Sequence, residues 1–338
     1  MSTHRILLSA PVLAGMLGLA ACGGGGGTAG VPNLPAPPDS SLLAVSASNY
    51  EAIGQATVSS AFYLGNTGGT LTGTQVGGEA GLLRRAIVVA RRTVLEARVQ
   101  PALPMGIELR QTISCSQGGN VVLNISDANN NGNVDVGDAI TLDAQACKED
   151  GSVMQGRIGL GLQVLTGVFD SNSYSATLAM TLTAFSATRG TDTVQGDGTL
   201  NLTLSQTPAG VSELSLSTPR LVLSGRLSGQ AFSTTLIDAQ LTLRVEPLGG
   251  GQKSSFSYAG GLASSRFGDK QVLITTRLPL VATGNDAYPS SGQWVIKGSD
   301  NSTLRITPVS STQARLELDT QGDGINETQV LKTWAELR

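Results

Sequence analysis

The sequence predicts a mainly β protein: a long-stranded antiparallel meander sheet, curled into a half-barrel, with two N-terminal helices packed on it. Three observations carry this expectation. From about Gly156 onward, apolar and polar residues alternate with period two over long stretches, the mark of strands with one buried and one wet face. Turn-forming clusters punctuate those stretches at Gly167 to Ser173, Arg189 to Thr193, Pro208 to Gly210, Gly249 to Gln252 and Gly284 to Pro289. Composition agrees, because 43 glycines and only 4% aromatic residues suit strands and turns, while 338 residues at 40% hydrophobic content suffice for a large core.

Residues 1–21 read as an export signal. A basic residue lies in Met1 to Arg5, a short apolar stretch interrupted by Pro11 follows from Ile6 to Leu19, and the small residues Ala20 and Ala21 precede Cys22. The apolar stretch is too short to span a bilayer. Leu19 to Cys22 resembles the bacterial lipobox. That resemblance implies that Cys22 is diacylated, becomes the mature N-terminus and gains a third acyl chain, a covalent lipid that ties the protein stably to a membrane. The residue after it is Gly23 rather than the Asp of an inner-membrane retention signal, so the analogy implies the outer membrane, with the domain in the periplasm or at the cell surface. An ordinary signal peptide with a chance cysteine is the alternative. Residues 22–40 form a tether, flexible through Gly23 to Gly30 and stiffened by Pro32, Pro35, Pro37 and Pro38.

Residues 41–104 read as a helical segment covering the sheet. Asn49 is placed to cap a helix through Tyr50 to Leu64, and Glu79 to Val99 sets Leu83, Ile87, Ala90 and Val94 against Arg84, Arg85, Arg91 and Arg92 at helical spacing. Those arginines suit either a solvated helix face or contact with anionic headgroups.

Residues 105–338 form the antiparallel β domain. With Cys22 lipidated, Cys115 and Cys147 remain in an exported chain where thiols are oxidised, and they are expected to pair; two separate buried thiols are the alternative. Between them, Asp127, Asn129, Asn131, Gly132, Asn133, Asp135 and Asp138 occupy positions 1, 3, 5, 6, 7, 9 and 12 of an EF-hand-type frame. Calcium needs several oxygen ligands from a tightly turning backbone, and this spacing supplies short carboxylates and amides around a glycine. The loop is similar to the calcium loop of dockerin modules, although Ala139 to Cys147 reads as a strand where such loops lead into a helix. Asp138 in place of Glu at the closing position implies weak binding. A bare polar turn is the competing reading. Asp319, Gln321, Asp323, Gly324 and Glu327 make a weaker second candidate, with Val330 at position 12 and a hairpin turn as its competitor.

Within the β domain, Tyr174, Ala176, Leu178, Met180 and Leu182 share one face, as do Ile237, Ala239, Leu241, Leu243 and Val245. Transmembrane barrels alternate in the same way but carry aromatic girdles, which these scattered aromatics do not form. Charge is sparse, 14% with a formal net of −3, and no like-charged block marks a nucleic-acid face. The single histidine, His4, lies in the export signal, so no histidine-based triad or metal site is expected in the mature chain. Neither a G-x-S-x-G elbow nor a Ser-x-x-Lys pair occurs, and Gln252 interrupts the phosphate-loop-like stretch Gly249 to Ser255. No enzymatic activity is expected.

The Cys-Gly-rich start at Cys22, the Cys115 to Cys147 bracket around an Asp/Asn/Gly loop, and the tail from Asp319 to Leu337 together resemble a group of uncharacterised outer-membrane lipoproteins from Gram-negative, betaproteobacterial-type species. Two functions fit. One is a binding module for a lipid or other hydrophobic ligand, similar to periplasmic lipoprotein carriers with a half-barrel and helical lid. The other is a structural or adhesive envelope protein that meets an envelope partner through loops stiffened by calcium and a disulfide.

Overall fold

The computed structural model describes residues 41–72, 109–129, 136–149, 151–167, 171–227, 229–249, 251–284 and 286–337. The chain divides into two compact units, and every described residue belongs to the second, Leu34–Arg338. That unit contains one α-helix among its described residues, α1 (Tyr50–Thr72), and one antiparallel sheet of 14 strands. The strands are β1 (Leu109–Ser114), β2 (Asn120–Ser126), β3 (Ala139–Glu149), β4 (Ser152–Gly167), β5 (Tyr174–Arg189), β6 (Asp192–Gln206) and β7 (Ser212–Leu227). They continue with β8 (Gln230–Leu248), β9 (Gly251–Ser264), β10 (Gln271–Thr283), β11 (Ser291–Lys297), β12 (Thr303–Pro308), β13 (Gln313–Asp319) and β14 (Thr328–Thr333). Strand order equals chain order, a pure meander, and the sheet is open, with β1 and β14 at its edges. All five turn clusters read from the sequence fall at strand junctions. The second helix expected over 79–99 lies outside the described residues.

Register explains the core. In an antiparallel ladder, partner residues point to the same face, so a row of partners across successive strands is a stripe of side chains. One stripe runs Leu162, Leu178, Leu202, Leu216, Leu241 and Tyr258 across β4 to β9. A second runs Leu165, Ala176, Leu204, Leu214, Leu243, Phe256 and Leu280 across β4 to β10. A third crosses from Leu123 through Leu142, Ile158, Leu182, Gly198, Leu221, Leu236 and Leu262 to Val272. Trp294, Ile306, Leu316 and Val330 form a shorter stripe on β11 to β14. The core is therefore one apolar face of the sheet.

Between the stripes runs a seam of β-bulges. Ala146 on β3, Ala184 on β5 and Asp238 on β8 take left-handed backbone conformations at φ 50°, 45° and 45°. Each sits where the ladder register shifts. Such a residue bends its strand and adds twist, because it has no opposite number on the neighbouring strand. A glycine faces each one: a Cβ at Gly119 would lie 2.0 Å from the Ala146 carbonyl oxygen, and one at Gly156 2.2 Å from that of Ala184. At Gly260 it would lie 2.6 Å from the Ala239 Cα. The bulge at Asp238 also corrects the alternation read from the sequence. It shifts the face by one residue, so Leu236 is buried and Ile237, expected inside, is only half-buried.

Side chains replace the ladder bonds that the seam removes. The Ala184 N–H donates to Asp197 Oδ1 at 2.6 Å. Thr218 Oγ1 donates to the Thr199 carbonyl at 2.6 Å, beside a register shift between β6 and β7. Thr276 Oγ1 on β10 accepts from the Tyr258 N–H and donates to the Tyr258 carbonyl, both at 2.7 Å, within a stretch where β9 and β10 lose register. A bulge leaves backbone donors and acceptors to be satisfied, and these three polar side chains meet that need.

α1 lies on the apolar face, against β7, β8 and β9 and also against β12 and β13. It begins where the sequence places it: the Ile53 N–H donates to the Asn49 carbonyl at 3.0 Å. The Asn49 side chain, expected to cap the helix, turns backwards instead. It accepts from the Ser46 N–H at 2.8 Å and donates to the Ala44 carbonyl at 2.9 Å, fixing the turn that leads into the helix. Ile53, Gly54, Ala56, Thr57, Val58, Ser60, Ala61 and Phe62 are all buried, which leaves little of the first half of α1 to solvent. Gly54 permits the closest approach, since a Cβ there would stand 2.8 Å from Leu316 Cδ2. Phe62 packs edge-on against Tyr288 and Trp334, and the Glu51–Lys332 pair at 3.0 Å ties the helix to β14. Ahead of α1, the Leu43 N–H donates to the Gln271 carbonyl and the Val45 N–H to Ser302 Oγ. The chain thus joins the fold within a few residues of Ser41.

Candidate functional site

Cys22, the expected lipidation site, lies outside the described residues. Cys115 and Cys147 are bonded to each other, with Cα atoms 5.5 Å apart and a sequence separation of 32. The bridge joins the β1–β2 turn to β3 beside the Ala146 bulge, where the Lys148 N–H also donates to the Gly118 carbonyl. Both cysteines are buried.

The Asp127 to Asp138 stretch is the connection between β2 and β3. Ser126 pairs with Ala139, so the first and twelfth positions of the frame, Asp127 and Asp138, follow and precede a ladder pair and stand at the two feet of one loop. A calcium loop requires that closure of its ends. Asp138 is 2% exposed, and its Oδ1 accepts from the Ala128 N–H at 2.9 Å, so this carboxylate already clamps the loop. Its backbone is anchored too, because the Leu162 N–H donates to the Asp138 carbonyl and the Gly137 N–H to that of Leu162. Asn129 is described with Asp127 on the near side of the loop, whereas Asn131, Asn133 and Asp135 lie outside the described residues.

The second candidate connects β13 and β14. Asp319, at the end of β13, is 3% exposed, and its carboxylate gathers backbone amides: Gln321 N–H at 3.2 Å and Gly322 N–H at 2.6 Å on Oδ1, and Gly324 N–H at 2.8 Å on Oδ2. Glu327 reaches Thr320, accepting from its N–H at 2.8 Å and its hydroxyl at 3.0 Å. Asp323 accepts from the Ile325 N–H. These carboxylates stiffen a hairpin turn. Among the described residues, the cluster of metal-type side chains lies elsewhere, at Cys115, Cys147 and Glu149, and its two sulfurs are joined to each other.

Burial opposes ionisation of Asp319, yet the amides of Gly324, Gly322, Gln321 and Asp323 outweigh it and hold the carboxyl below the usual aspartate range. The backbone amide of Thr320 does the same for Glu327. A folded-state value below the unfolded one stabilises above the unfolded pKa, about 4, and that contribution fades as pH falls through the folded value. Asp319→Asn should therefore lower Tm most above pH 5, with the gap to the parent narrowing below about pH 4; thermal melts across that range check it.

The apolar face is the remaining candidate, and α1 covers it unevenly. In the stripe from Leu162 to Tyr258, the members on β6 to β9 are fully buried, while Leu162 and Leu178 on β4 and β5 are half-buried. Leu160, Leu165 and Tyr174 on the same two strands are half-buried as well. Inside the covered part, sequence reading missed three polar groups in apolar surroundings: Thr57 on α1, Tyr258 on β9 and Trp294 on β11. Burial pushes the Tyr258 phenol up. No family model, no curated protein and no solved structure matches this chain.

Proposed function

We propose that this is a lipid-anchored envelope protein whose sheet, curled into a half-barrel, binds a lipid or another hydrophobic ligand on its apolar face without catalysing a reaction. The observation that carries the reading is the course of the leucine stripes. They run from under α1 to β4 and β5, where Leu160, Leu162, Leu165 and Leu178 stay half-buried. A contiguous apolar surface left partly open marks an interaction site in a folded protein. The bulge seam favours the curl, since bulges in successive strand pairs bend neighbouring strands along one line. Acylation of Cys22 would hold this face within a tether's length of the outer membrane.

A second reading has its own support, because the β2–β3 pairing brings Asp127 and Asp138 to the two feet of one loop. In it, calcium held by Asp127, Asn129, Asn131, Asn133, Asp135 and Asp138 stiffens a surface that meets an envelope partner. Native mass spectrometry of the exported full chain carrying Cys22→Ser, with and without chelator, separates the two. Co-purified lipid is the expected result, whereas a chain that carries only chelator-removable calcium favours the second reading. Bare protein mass in both conditions contradicts both.

A further inference from the structure

Among the described residues, Tyr258 Oη, Trp294 Nε1 and Thr57 Oγ1 are buried without a hydrogen-bond partner. Each residue is at most 1% exposed. The other indole, that of Trp334, donates to the Ser310 carbonyl, as buried indoles ordinarily do. A sealed donor left unmade is costly, and phenylalanine would fill the Tyr258 position without that cost.

Tyr258 and Trp294 lie on one apolar face, since Phe256, two residues from Tyr258 on β9, packs edge-on against Trp294, and Thr57 is on the helix that packs on this sheet. Thr276 on β10 stands between Tyr258 and Trp294, bonded through Oγ1 to both backbone groups of Tyr258 and paired in the ladder with Trp294. One strand, β10, lies between the strands that carry the two aromatic residues, a distance of two strand spacings or about 10 Å. From Trp294 the row continues through Ile306 to Leu316, against which Gly54 of α1 packs. Thr57 is one helical turn beyond Gly54. Chemically, an indole N–H only donates, and a phenol and an alcohol donate as readily as they accept. Their complement is an acceptor, such as a carboxylate or an ester carbonyl, and the leucine stripes around them suit an acyl chain. The helix over this place is intrinsically weak, with Gly54 and then the run Thr57, Val58, Ser59 and Ser60 where alanine or leucine would favour helix.

We propose that the apolar face beneath α1 binds a single-chain amphiphile through its hydrogen-bond-accepting head group, which Tyr258 and Trp294 hold, and that α1 occupies this site until the ligand displaces it. The proposal rests on the reading of the sheet as a face for hydrophobic ligands and adds the polar end of the ligand and the helix that gives way. The unmet donors raise the energy of the closed form, and the ligand satisfies them.

The test uses the full chain carrying Cys22→Ser, titrated with the fluorescent fatty acid cis-parinaric acid and, separately, incubated with the single-chain phospholipid lysophosphatidylethanolamine and analysed by native mass spectrometry. Tyr258→Phe is expected to raise Tm by about 2–4 °C, as an unsatisfied hydroxyl leaves the core. It is also expected to weaken binding at least about fivefold, the worth of one hydrogen bond. Trp294→Phe repeats the loss of binding independently. Loss of the fatty acid supports a carboxylate head group, and loss of phospholipid supports an ester carbonyl. If the parent binds either probe and both variants bind it equally well, or if Tyr258→Phe lowers Tm, the head-group site is overturned and the binding face stands. A parent that binds neither probe overturns the binding face as well.

Discussion

Replacing Cys115 and Cys147 together by alanine should destabilise the domain by roughly 3–4 kcal/mol, the loop-entropy value for a closure of this length. The bridge encloses the β2–β3 hairpin and its long loop, with the cysteines at a sequence separation of 32. Without it, the unfolded chain recovers the freedom of that whole segment, while the folded chain must still order a 12-residue connection between Ser126 and Ala139. The loss should be seen as a urea midpoint lower than that of the oxidised parent, a gap that closes when the parent is reduced, with amide exchange accelerated first in β1 to β3. An unchanged midpoint would mean that the β1–β2 turn holds to β3 through its backbone bonds alone.

Gly156→Ala should cost about 2–4 kcal/mol, because strain and steric conflict act together. Gly156 has φ 98°, a conformation side chains rarely adopt, and its Cβ would meet the Ala184 carbonyl oxygen at 2.2 Å. That carbonyl belongs to the bulge residue of β5 and has no room to retreat, since the Ala184 N–H is fixed by Asp197. Gly159, three residues along the same strand, is the control. A Cβ there meets only Thr181 Cβ at 3.7 Å, an ordinary contact, so Gly159→Ala should change stability by less than about 1 kcal/mol. Urea midpoints of the two variants decide the matter. Equal effects would show that the seam does not constrain the backbone.

How far the sequence spoke for this fold depended on period. Along β5, Tyr174 to Leu182 alternate without interruption, and the face read from that alternation is the buried one. On β8 the same logic assigned Ile237 inward and failed, because a left-handed Asp238 inserts one extra residue and no local signal in the side-chain pattern announces it. The glycines opposite the bulges were visible only as a high count, since their function depends on which carbonyl faces them across the sheet. β1 was also illegible: six residues of mixed polarity, Leu109–Ser114, gain strand structure from pairing with β2. Cysteine counting, on the expectation that the chain is exported, led to the pairing of Cys115 with Cys147, which the structure contains. Of the candidate sites, the loop frames were readable as spacing, but spacing does not reveal what a carboxylate is bonded to. Asp319 fits the first position of a calcium frame, and in the fold its two oxygens gather backbone amides. The unsatisfied groups of Tyr258 and Trp294 arise from tertiary burial, which no local pattern encodes.

The central claim is that the leucine-striped face of the sheet receives an acyl chain. A diazirine-bearing fatty acid, photolysed with the full chain carrying Cys22→Ser and mapped by peptide mass spectrometry, tests it most directly. The account predicts labels on β4, β5 and β9, at Leu162, Leu178 and Tyr258. Labels confined to exposed apolar residues such as Ile325 and Leu331, which are 67% and 55% exposed, would contradict it.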